Sequence, residues 1–111
     1  MAIAWSRVYQ NFYDIEVYTC TLASGESSDP LSVHRWNDNS VQMTGTFGAA
    51  VVLQAANHPT SPVYVTAKDA LGNDLSFTAD SPPTQILPGA LLLKAVAGAV
   101  TSVIVTVKLK R

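Results

Sequence analysis

Apolar and polar residues alternate along much of this chain with a period of two. Between residues 100 and 109, Val103, Val105, Val107 and Leu109 fall on every second position. That spacing puts them on one face of an extended strand. A helix through so many β-branched residues would cost side-chain freedom. The same reading predicts a strand over 15–22, with Ile15, Val17, Thr19 and Thr21 opposite Glu16, Tyr18, Cys20 and Leu22. Over 40–47, Val41, Met43 and Phe47 share a face against Gln42, Thr44 and Thr46, and Gly45 marks a bulge or a close backbone approach. Residues 49–56 are apolar on both faces, as in a central strand. Alanine and leucine also favour helix there. The short link at Gly48 permits a tight reversal and predicts that 40–48 and 49–56 form a hairpin. Val63, Val65 and Ala67 alternate with Tyr64, Thr66 and Lys68.

Shorter extended pieces are expected at 31–36, 75–78 and 85–87, and 91–96 is apolar. Ser/Gly/Asp-rich 23–30, Asn37-Asp38-Asn39, Pro-containing 57–62, 70–74 and 81–84 supply the loops and turns. Many short strands separated by such breaks indicate a β-sandwich or barrel. The expected fold is all-β: one antiparallel, jelly-roll-like β-sandwich domain over 14–111. Its expected core is Val41, Met43, Phe47, Leu53, Val65, Phe77, Val103 and Val105. Residues 1–13 differ, with Trp5, Tyr9, Phe12 and Tyr13 crowded into weak alternation. They form either an arm that docks on a neighbouring chain or an irregular first strand covering its own core, and the second is preferred slightly. As an arm, those four aromatics are the candidate partner-binding residues, because large aromatic surfaces favour interfaces.

At 111 residues the chain can bury a core without metals or disulfides. Only 14% of residues are charged against 48% hydrophobic, well under the usual quarter. Either part of the surface is covered by other chains, or a Thr/Ser-rich surface keeps the chain soluble. A formal net charge of −1 argues against bulk nucleic-acid binding. The basic end, Lys108, Lys110 and Arg111, reads as a solvated tail. Cys20 stands alone, so no intrachain disulfide forms. The sequence shows no secretory signal, and the apolar stretch 90–107 is broken by Lys94, Gly98, Thr101, Ser102 and Thr106, so synthesis in the cytosol and no membrane span are expected.

Candidate chemistry is sparse. His34 and His58 lack ligand spacing and fall near loops. Cys20 in an alternating strand reads as a buried structural thiol. Asp14 and Glu16 share a face without a third acid. No cofactor, metal or catalytic residue is expected, and the chain is read as non-enzymatic. Trp5, Trp36 and Tyr64 could supply a sugar-stacking platform, which keeps a carbohydrate-binding module as an alternative.

Three stretches also resemble small proteins of tailed bacteriophages encoded near capsid genes. Asn39 to Gly48 resembles their first core hairpin, Asp69 to Ala79 their next, and Leu22 to Leu31 their small-residue loop. The resemblance runs over most of 22–107. It departs after Gln54, where such proteins commonly have a polar turn leading to a tryptophan and this chain has Ala55-Ala56-Asn57-His58-Pro59 and then Tyr64. The resemblance implies a virion component on the capsid exterior: a decoration, or cement, protein that binds the major capsid protein. It also implies a homo-oligomer, with a trimer at a threefold position as one form. A tail or head–tail role is the neighbouring alternative.

Overall fold

A computed structural model describes residues 2–11, 14–58 and 60–111. Twelve strands follow in order: β1 (Ala2–Ile3), β2 (Ser6–Gln10), β3 (Ile15–Leu22), β4 (Ser27–Ser28), β5 (Leu31–Ser32), β6 (Asp38–Thr46), β7 (Val51–Ala56), β8 (Val65–Thr66), β9 (Ser76–Phe77), β10 (Thr84–Ile86), β11 (Leu92–Ala97) and β12 (Ser102–Lys110). No helix occurs among the described residues. The strands form two sheets. One runs β10-β6-β12-β3-β2; the other runs β1-β4-β11-β7-β8, with β5 also on β11 and β9 also on β7. Every pairing is antiparallel except β1 with β4, which is parallel. The fold is an all-β, jelly-roll-like sandwich, as the alternation predicts.

The core lies between the sheets. β12 contributes Val103, Val105, Val107 and Leu109, all buried, while Ile104 and Lys108 face solvent. β6 adds Val41 and Met43, β3 adds Cys20 and Leu22, and the facing sheet supplies Val51, Leu53, Leu93, Ala95 and Ala97. Fully burying one such Val or Leu side chain stabilises the fold by about 1.5–3 kcal/mol. Phe47 and Phe77 are only half-buried and pack against the rim of this core.

Several expectations change. Residues 40–56 are not a hairpin: β6 pairs with β10 and β12, whereas β7 pairs with β8, β9 and β11. The link at 47–50 carries the chain across the sandwich from one sheet to the other. Periodicity fixes which side chains face the core, but it does not name the neighbouring strand. Val65 is exposed instead of buried; the core ends at Ala67, two residues along the same face. The 31–36 strand shrinks to β5, because the chain turns at 33–36, where the Trp36 N–H donates to the Val33 carbonyl at 3.0 Å. Asp38 and Asn39 open β6 instead of forming a turn. The 23–30 loop contains β4, whose buried Ser28 hydroxyl accepts from the Ala95 N–H at 2.8 Å and donates to the Asp29 carbonyl at 3.0 Å.

Gly45 shows why the sixth strand needs a glycine. Its φ is +143°, and a Cβ there would lie 2.2 Å from the Ser102 carbonyl oxygen and 2.9 Å from the Val103 Cα. Its N–H donates to the Asp80 carboxylate at 2.8 Å. The close approach expected from the sequence is thus β6 against β12.

Candidate functional site

The described surface carries a two-lobed depression beside β8. The larger lobe, about 400 Å³, lies between β8 and the segment 86–90 that follows β10. The smaller, about 300 Å³, runs on between Val33–Asn37 and Leu91. Asn57, Gly89 and Ala90 line both, so the lobes meet there. The floor is the seam where the two sheets close on each other. Asp69 bridges Ile86, and the Leu87 N–H donates to the Lys68 carbonyl at 2.9 Å. Beyond that closure the seam opens.

The lining of the larger lobe is chiefly apolar. Val63 is 79% exposed, Val65 63% and Leu87 50%. Its single charged side chain, Lys68, is ion-paired with Asp74. The adjoining turn is held by Asp69, whose carboxylate accepts from the Leu71 and Asn73 N–H groups, both at 2.9 Å. Those backbone donors, Asn73 first, hold the Asp69 carboxyl below its usual value.

Of the described residues singled out from sequence, His34 and Trp36 line the smaller lobe, while Trp5, Tyr9, Cys20, His58 and Tyr64 line neither lobe. Trp5 is half-buried, and its indole N–H donates to the Asp29 carbonyl at 2.7 Å. Tyr9 is exposed on β2, one of the two outermost strands of the five-stranded sheet. Phe12 and Tyr13 lie outside the described residues. The three aromatics of the sugar-stacking alternative, Trp5, Trp36 and Tyr64, each have a different neighbour. Tyr64 lies under the Lys94 ammonium, 4.3 Å from the ring centroid, and Trp36 under the Arg111 guanidinium at 5.5 Å. Of the three, only Trp36 lines the depression, in its smaller lobe.

His34 is exposed at the rim of the smaller lobe, with Nδ1 2.9 Å from the Ser32 hydroxyl. His58 Nδ1 accepts from the Thr60 and Ser61 N–H groups at 3.2 and 2.9 Å, fixing its loop. Glu16 accepts from the Tyr18 hydroxyl at 2.6 Å. Burial first, then that bond, raises the Tyr18 phenol above its ordinary value. Cys20 is buried, and desolvation pushes its thiol up to about 12. Among the described residues no three His, Cys, Asp or Glu side chains converge as a metal site does. What sequence reading missed was Val63, Val65 and Leu87. The signal was present: the apolar alternation of 63–68 runs past the point where the core ends.

Neither a protein-family model nor a curated protein sequence matches this chain. Solved structures do. The SPBc2 prophage-derived protein YomS superposes with a TM-score of 0.67 at 12% identity, over 94% of this chain and 99% of that one. A cupin domain from Bordetella pertussis Tohama I gives 0.59 at 11%, over 99% and 94%. An oxalate oxidase gives 0.55 at 12%, over 96% of this chain but 49% of that one. The fold is cupin-like. At such identities the likeness speaks for architecture.

Proposed function

We propose that this chain is a non-enzymatic phage virion protein that decorates the capsid by binding the major capsid protein. The observation that supports this best is the near-complete mutual overlap with a prophage-derived protein. The overlap spans 94% of this chain and 99% of that one. The low charge of the sequence and the apolar side chains left exposed near β8 and on β2 fit a protein whose surface is covered in an assembly. In this reading the affinity comes from many weak contacts repeated over a symmetric shell, because linked sites gain avidity without any strong single contact. The chain acts as a homo-oligomer there, and Trp5, Tyr9, Phe12 and Tyr13 belong to its contact surface.

The test is direct. Purified particles should contain the chain at high copy number, and particles lacking it should form but burst at lower temperature or lower osmotic stress. Absence from particles, or equal robustness without it, defeats the proposal. Specific retention on a glycan array would then put the carbohydrate-binding alternative in its place.

A further inference from the structure

The alternating face of 63–68 continues a core-type pattern into open space. Ala67 is buried, but Val65 and Val63, on the same face, are exposed over the larger lobe. The backbone beside them is also incomplete. β8 ends one side of its sheet and meets β7 through Thr66 opposite Gln54 and Val65 opposite Ala55. In an antiparallel ladder, residues whose N–H and C=O face the neighbour alternate with residues whose groups face away. The Ala67 N–H donates to the Leu53 carbonyl at 2.8 Å, which fixes the phase: Ala67 and Val65 face β7, and the main-chain N–H and C=O of Thr66 face outward. Thr66 itself lines the groove, with Leu87 and Ala90 across from it.

The geometry points to a strand-addition site: this groove takes an extended, uncharged segment of another protein, with apolar side chains at alternate positions, paired to the outward main chain of Thr66. Three features select that occupant. Outward-facing backbone groups call for a strand, since main-chain bonds supply affinity in such docking while alternate pockets supply choice. Val63, Val65 and Leu87 offer apolar contacts to every second side chain of the segment. The only charge in the lining, Lys68, is already matched by Asp74, so a charged segment would meet no counter-charge there. A second copy of this chain is a poor donor through either end of its other sheet: β2 carries Arg7 and a register shift between Arg7 and Tyr9, and β10 is three residues long with Ile86 already bridged by Asp69, features that discourage edge pairing. The site stands independently of the capsid reading, because it specifies the chemistry of the bound segment and not the particle it comes from.

The experiment is an amide chemical-shift titration of the full chain with a capped seven-residue peptide of alternating valine and serine. Two further peptides carry N-methyl groups on one or the other alternate set of amides. Saturable shifts confined to 63–67 and 86–90 are expected. One methylated peptide should lose binding and the other keep it. Val65→Lys should weaken binding tenfold or more; the side chain is exposed, so the fold is retained and the same spectrum reports it. Leu87→Lys, on the opposite wall, gives an independent check. The proposal is overturned by any of four results: no shifts at millimolar peptide, shifts elsewhere, equal binding of both methylated peptides, or the same shifts on raising protein concentration alone, which would make the occupant a second copy.

Discussion

Gly45 is the position where one methyl group has least room. Backbone atoms of Ser102 and Val103 block its Cβ, and its φ is unfavourable for other residues. Gly45→Ala should destabilise the fold by about 2–4 kcal/mol, among the larger single-site effects, read as a lower midpoint in thermal or denaturant unfolding. Gly72→Ala, at a φ of +86° with no atom within 4 Å of its Cβ, meets only the backbone cost, about 1–2 kcal/mol. Ser28→Ala strands the buried Ala95 N–H, with an expected loss of about 1–3 kcal/mol. Cys20 should resist thiol reagents at pH 8 in the native protein and react promptly once denatured, because burial keeps it protonated far above that pH. The sequence foretold the buried thiol from its place in an alternating strand. It did not foretell Ser28, since a serine in a Ser/Gly-rich loop looks the same whether or not it donates and accepts inside a core.

At the scale of elements, the turn from Asp69 to Asn73 responds to strong acid. Its carboxyl is held below the ordinary value by backbone donors, so its contribution is present above the unfolded pKa of about 3.9 and is lost only as pH falls through the lower folded value. Amide shifts of Leu71 and Asn73 should stay constant from neutral pH down to about pH 4 and move together below it. Strand existence was readable where alternation is long, as in β12 and β3, whose bounds agree closely with the pattern. Strand partnership was not. Val41, Met43, Val51 and Leu53 all point into one core, yet from opposite sheets, and a two-residue period is identical for either side. The groove escaped for a related reason. Val65 has the sequence signature of a core residue and lacks only a neighbour above it.

For the whole molecule, the decoration reading predicts where substitutions leave function intact. Ala at His34, His58 or Cys20 should change particle binding by less than about threefold, under about 1 kcal/mol, measured by co-sedimentation with shells. Substituting the exposed Tyr9 should matter more. Deleting residues 1–13 removes β1 and β2, strands that belong to different sheets. A loss of particle binding with the sandwich intact would mark an arm, and loss of cooperative unfolding would mark a structural strap. The placement of β12 has a consequence for how the protein is made. β12 lies between β3 and β6, which are joined to each other through it alone in the five-stranded order. A ribosome adding about 5–20 residues per second emits β3 and β6 well before β12 is available. During that interval both earlier strands carry Cys20, Leu22, Val41 and Met43 without the strand that will sit between them, so the nascent chain is a natural client for a chaperone until the central strand arrives.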